Sequence, residues 1–118
     1  MRRVILESPF SAPTFVGRWL HRRYARRCLR DALARGEAPI ASHLLYTQVL
    51  DDTVSSERSL GIAAGLAWLT VAEAAVVYVD RGVSDGMQTG IDTALAAGLP
   101  VERRTIEGLD NAARQSAG

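Results

Sequence analysis

Residues 75–79, Ala-Val-Val-Tyr-Val, are continuously apolar and stop at Asp80-Arg81-Gly82. A short β-branched run ended by a turn signal reads as a strand covered on both faces, because a strand with one wet face would alternate. Such a strand requires helices above and below it, and the rest of the chain supplies them. Residues 3–7, Arg-Val-Ile-Leu-Glu, form a first strand candidate ended by Ser8-Pro9. After a loop over residues 10–14, residues 15–35 place Leu20, Tyr24, Cys28 and Leu29 on one helical face and Arg18, Arg22, Arg26 and Arg30 in a row four apart, with Gly36 closing the helix.

Residues 39–42, Pro-Ile-Ala-Ser, give a second strand, and residues 43–56 a long functional loop with room for a turn of helix. Ser56 is a candidate cap for a helix to about residue 73. Its apolar residues, among them Leu60, Ile62, Leu66 and Leu69, cover so much of the circumference that both sides are expected to be buried, one against a sheet and the other against a partner subunit. A third helix over residues 84–97, capped by Gly98, precedes a more polar fourth strand over residues 100–106 suited to a sheet edge. Residues 108–118 are a polar tail or one short helix, which leaves residues 1–107 as a single α/β domain. The alternation β-α-β-α-β-α-β predicts a three-layer α/β sandwich around a parallel sheet of about four strands, joined by right-handed crossovers.

Composition removes several classes of function. All fourteen basic residues are Arg, so a lysine Schiff base, a lysine general base and a Walker-type phosphate lysine are excluded. The single cysteine, Cys28, has no partner for an internal disulfide and no companion ligands at metal spacing, so neither a metal nor a redox cofactor is expected. No apolar run approaches the ~20 residues that span a bilayer. The arginine-rich start lacks a signal-type apolar region, and a cytoplasmic protein is expected. Residues 18–35 hold seven arginines, but the formal net charge is only +1 and no aromatic stacking platform accompanies them, which argues against nucleic acid as a partner.

In a parallel sheet of this kind ligands sit beyond the carboxyl ends of the strands, where strand order reverses. Three carboxylates are candidates for catalysis there: Glu7 and Asp80, which close neighbouring strands, and Asp85, in the first turn of the third helix. Ser84 is a candidate N-cap, and Gly86 leaves backbone bare beside a helix end that favours a phosphate or sugar. His43, where the second strand releases its loop, is placed to touch a base or carry a proton, whereas His21 lies among solvated positions.

Taken together, Glu7-Ser8-Pro9-Phe10, Tyr24-Ala25-Arg26-Arg27, the segment from Pro39 to Leu44 with Thr47-Gln48 and Leu50-Asp51-Asp52, Glu57-Arg58 with Gly61-Ile62, and Ser84-Asp85-Gly86-Met87 resemble the nucleoside 2-deoxyribosyltransferase-like group, in particular its small DUF4406-type phage and bacterial proteins. The resemblance covers residues 3–106. It implies a flavodoxin-like, Rossmann-like fold that binds a nucleoside or nucleotide, and homodimers or larger homo-oligomers whose subunits help complete the sites. It also implies cleavage or exchange of an N-glycosidic bond. Carried onto this chain, Ser8, Pro9 and Phe10 match the first ligand loop, Asp80 an acidic position in the base-handling region, and Ser84, Gly86 and Met87 the turn that holds sugar or phosphate. The chain departs from the group at one place: Gly90 stands where the enzymes carry their nucleophilic Glu. Asp92 is no substitute, since two residues along a helix rotate a side chain by about 200°. Two alternatives follow. Either another carboxylate, Glu7, Asp80 or Asp85, has taken the task, or the pocket binds a nucleotide as a sensor or sequestering module without cutting it.

Overall fold

The apolar run becomes an interior strand with every residue buried, as its composition requires: β3 spans Ala74–Tyr78. A computed structural model describes residues 1–107 of the chain; the expected tail or helix over residues 108–118 lies outside the described residues. The other strands are β1 (Arg2–Glu7), β2 (Glu37–Ile40) and β4 (Val101–Arg104), in the order β2-β1-β3-β4. All three pairings are parallel, with Glu7 opposite Val77 and Tyr78 opposite Arg104. Strand order therefore reverses between β1 and β3, as the flavodoxin-like expectation requires.

Helix α1 (Phe15–Ala34) begins at Thr14, whose side chain accepts from the Gly17 amide, and buries Tyr24, Ala25, Cys28 and Ala32. Tyr24 and Cys28 pack with Val4, Leu6, Val76 and Tyr78 on one face of the sheet. Helix α4 (Asp85–Ala96) covers the other face, where Met87 and Ile91 meet Val77 and Ala94 meets Ile5 and Ala75. The period of two along each strand thus sends Leu6 and Tyr78 toward α1, and Ile5, Glu7 and Val77 toward α4.

Two elements depart from expectation. β2 starts at Glu37 and ends at Ile40, because Gly36 adopts φ 82° directly after α1 and turns the chain into the sheet at once. Pro39 is accommodated because β2 is an edge strand. Ser42, expected to end that strand, instead opens a one-turn helix α2 (Ser42–Leu45), followed by a 3-10 turn over Tyr46–Gln48.

The second departure is α3 (Ser55–Ala67), which is capped without a side chain and buries none of its residues. Its expected two-sided burial is absent: Leu60 is 59% exposed and Ile62 54%. The sheet face beside it is taken by Leu69 and Ala72 from the turn that follows, and by α4. Helix α3 instead leans on α2 through Gly65, where an added Cβ would come within 2.8 Å of Ser42 Oγ.

A charge network crosses the α1 side of the sheet. Arg104 makes two bonds of 2.6 Å to Glu37, and Arg2 makes a third, also of 2.6 Å. Arg104 also donates to the Tyr78 hydroxyl, which in turn donates to Asp31. The Arg104 guanidinium, followed by Arg2, outweighs burial and holds Glu37 down at about 2.

Candidate functional site

Beyond the carboxyl ends of β1 and β2, between α4 and the standoff helix α3, lies a cavity of about 640 Å³, within the usual range for small-molecule sites. The gap exists because α3 does not close onto the sheet. Of the residues expected at the site, Glu7, Ser8, Phe10, His43, Ser84, Asp85, Gly86 and Met87 line this cavity. Pro9 is buried behind it and is not part of the lining.

Glu7 ends β1 with its side chain toward α4. A Cβ built on Gly90 would lie 2.5 Å from Glu7 Oε1 and 2.7 Å from Cδ, so the Glu7 carboxyl occupies the space that any larger residue at position 90 would need. Burial raises Glu7 to about 7, and no charge or hydrogen bond offsets it. Among the described residues no fully buried side-chain oxygen lacks a partner, so the Glu7 oxygens keep access to the cavity. A carboxyl poised between its two protonation states at neutral pH, without a structural partner, is suited to proton transfer or nucleophilic attack.

Ser8 and His43 form a pair across β1 and α2, with Ser8 Oγ 2.7 Å from His43 Nε2. Burial lowers His43 to about 4, so the imidazole is neutral at pH 7 and serves as a hydrogen-bonding group rather than a cation. Phe10 meets the ring edge-on at 6.3 Å between centroids, fixing its plane. At the opposite wall Ser84 caps α4, accepting from the Met87 amide at 3.2 Å, while Met87 Sδ accepts from the Ser84 amide. Nothing lies within 4 Å of a Cβ built on Gly86, so its backbone is open to an incoming ligand.

Asp80 is a correction to the expected catalytic set. Glu7 and Asp80 do close neighbouring strands, but the strand period sends Asp80 to the α1 face, away from the cavity. Its carboxylate accepts from Tyr24 Oη at 2.5 Å and from the amides of Ile106 and Glu107 at 2.9–3.1 Å. Burial alone would raise Asp80, and the Tyr24 hydroxyl with those amides more than reverses it, leaving the carboxylate lowered and committed to holding the chain after β4. His21, expected among solvated positions, lies within hydrogen-bond distance of the Phe10 carbonyl, at 3.2 Å, and helps fix the loop after β1.

The sequence reading missed the contribution of α3. Gly61, Gly65, Ile62 and Leu66 line the cavity, as do Tyr46 and Thr47 from the turn after α2. The signal was present in the glycines four apart in the otherwise apolar second half of the helix, which mark one bare stripe. Among the described residues no cluster of three or more His, Cys, Asp or Glu is arranged to hold a metal ion, and no helix is long and apolar enough to cross a membrane.

The parallel sheet, its order and a cavity at the β1/β3 reversal define an α/β protein of the deoxyribosyltransferase-like fold. A 2-deoxyribosyltransferase from the psychrotolerant bacterium Bacillus psychrosaccharolyticus has a similar structure, with a TM-score of 0.63 at 17% identity over 87% of this chain and 72% of that one. No curated protein sequence matches this chain. Residues 2–104 match the family described as a domain of unknown function, DUF7768, and the chain belongs to that family. The DUF4406 assignment is thereby replaced, while the fold it implied stands.

Proposed function

We propose that the cavity binds a nucleoside and that Glu7 cleaves or exchanges its N-glycosidic bond. The observation that carries this reading is a half-buried carboxyl, without a partner among the described residues, packed against Gly90 and open to the cavity. The resemblance to deoxyribosyltransferases puts a nucleophilic Glu at position 90, and Glu7 brings its carboxyl to the same place from the neighbouring strand. In the ionised form a Glu7 oxygen bonds to the anomeric carbon as the bond from that carbon to the base nitrogen breaks. The electron pair leaves with the base, which takes its proton from solvent. Water, or a second base, then displaces the carboxylate from the sugar. The neutral Ser8–His43 pair supplies hydrogen bonds to the base, and the α4 turn at Ser84 and Gly86 holds the sugar.

Incubating the protein with deoxynucleosides, ribonucleosides and their monophosphates, while following free base by chromatography, tests the reading. Release of base from at least one compound is the expected result. Binding in a parallel thermal-shift series without any release would instead support the sensor or sequestering alternative that Gly90 raises.

We infer in addition that the chain assembles with a second copy through α3. Leu60, Ala63 and Ala67 form an exposed apolar stripe on the side of α3 turned away from the cavity, which Ile62 and Leu66 line, and contiguous apolar surface of this kind marks an interaction site. Sedimentation at micromolar concentration is expected to give a dimer or larger assembly; a monomer would contradict it.

A further inference from the structure

The outward ridge of α1 carries charge that the fold does not use. Arg2, Arg3, Arg27, Arg35, Arg81 and Arg104 are each held by a carboxylate, whereas Arg22, Arg23, Arg26 and Arg30 have no carboxylate partner among the described residues. Asp31 is the one acidic residue in α1, and Arg35 and Tyr78 take it. Four uncommitted guanidinium groups on one helix, in a chain whose formal net charge is only +1, concentrate positive potential there.

Aromatic rings share that ridge. Burial of Tyr24, Ala25, Cys28 and Ala32 fixes the inward face of α1, and at about 100° per residue the opposite side carries Phe15, Trp19, Arg23, Arg26 and Arg30 in one stripe. Phe15 is 70% exposed and Trp19 46%. The two rings stand about 6 Å apart along the helix axis, and the Arg23 guanidinium lies over the Trp19 ring, 5.6 Å from its centroid. Trp19, Arg22, Arg23 and Arg26 also line a surface hollow of about 470 Å³. Arginines without a stacking platform argue against nucleic acid; the fold supplies that platform by aligning Phe15 and Trp19 with them.

We propose that this ridge binds single-stranded nucleic acid, with bases stacked on Phe15 and Trp19 and phosphates held by Arg22, Arg23, Arg26 and Arg30. An unpaired base beside its phosphate uses both parts of the stripe: bases stack on aromatic faces, and the guanidinium fork matches phosphate oxygens. A duplex hides its base faces. A membrane surface fits less well, because pressing Trp19 into the acyl boundary would carry Arg23 and Arg26, on the same stripe, in with it. The ridge belongs to the helix that covers the sheet face opposite α4, so the proposal goes beyond the nucleoside reading and does not depend on it.

The test is fluorescence anisotropy of a labelled single-stranded oligodeoxythymidine of about 20 nucleotides, longer than the usual site size, titrated with the full chain. At about 50 mM salt a dissociation constant below about 10 µM is expected, with a duplex of the same length bound at least about threefold more weakly. The logarithm of the affinity should fall against that of the salt concentration with a slope of about −2 to −3, as three or four phosphate contacts on a single strand require. Trp19→Ala should weaken binding at least about fivefold and leave the slope unchanged. The double variant Arg23→Gln/Arg26→Gln should weaken it at least about tenfold and flatten the slope by about 1.4. Arg103→Gln, which removes an exposed charge on the edge strand β4, should change neither. Absence of binding at about 50 mM salt, a duplex bound as tightly as the single strand, or a Trp19→Ala chain that binds like wild type would each overturn the proposal. Binding to phosphatidylserine vesicles in place of the oligonucleotide would overturn it too. Base release from free deoxynucleosides should be the same in all these variants, so this proposal and the nucleoside reading fail separately.

Discussion

Replacing Glu7 with Gln is expected to abolish base release and, at the same time, to remove a pH-dependent weakness in the fold. Burial raises Glu7 to about 7, from an ordinary value of 4.5. Because the folded chain holds this proton more tightly than the unfolded chain does, stability is greatest below about pH 4.5 and declines as pH rises through 7. At roughly 1.4 kcal/mol for each pKa unit, the penalty above pH 7 is on the order of 3–4 kcal/mol. The wild-type chain should therefore lose stability between pH 5 and 8, in ~0.5-unit steps of denaturant unfolding, and the Glu7→Gln chain should lack that decline. A carboxyl that weakens the fold and is indispensable to turnover is the signature of a functional group retained against stability. Gly90→Ala is the companion variant: its Cβ would stand 2.5 Å from Glu7 Oε1 and displace the carboxyl. Loss of base release with the fold retained is expected there too. The pH dependence of base release should rise to a plateau through about pH 7 as Glu7 ionises.

The second large effect concerns Arg104 and Glu37, whose side chains are each 7% exposed. Arg104→Met would leave Glu37 buried with Arg2 as its remaining ion-pair partner and the Tyr78 hydroxyl without its donor. Breaking a buried pair from one side costs about 3–5 kcal/mol, a large part of the stability of a domain this size. Urea unfolding should show that loss as a lower midpoint with an unchanged slope. The double variant Glu37→Met/Arg104→Met should recover most of it, because no buried charge is then left uncompensated. The pH dependence has the opposite sign to that of Glu7. Glu37 is held at about 2 by Arg104, so its contribution is fully present above about pH 4.5 and is lost as pH falls through 2. Wild type and Arg104→Met should thus converge in acid. A constant difference between them down to pH 2 would assign the stabilisation to packing of the arginine stem rather than to the ion pair.

Much of the architecture is legible in the sequence because it depends on local patterns. The run at residues 75–79 needs cover on both faces, and the stops at Pro9, Gly36, Gly82 and Gly98 punctuate the alternation of strands and helices. Three features were not legible, each for a physical reason. Glu7 and Asp80 look equivalent as strand-end acids, and only the pleat separates them: Glu7 faces α4 and the cavity, whereas Asp80 faces α1 and is used up by Tyr24 and two amides. The apolar circumference of α3 suggests full burial, yet nothing in its own residues records that the turn after it and α4 already fill the sheet face. The charge network joins Glu37 to Arg104, 67 positions apart in sequence, through a contact that no local pattern encodes. The substitution of Gly at position 90 was visible, but its meaning was not. A missing side chain became informative only when Glu7 was found in the space it leaves.

The most direct test of the central claim is intact-mass analysis of the protein after rapid quenching in the presence of excess deoxynucleoside, followed by peptide mapping. The account predicts a mass gain equal to one deoxyribosyl group on the peptide carrying Glu7, with base released in equal amount, and neither signal in Glu7→Gln. Base release that persists in a folded Glu7→Gln chain, or a deoxyribosyl group mapped to Asp85 in place of Glu7, would contradict it.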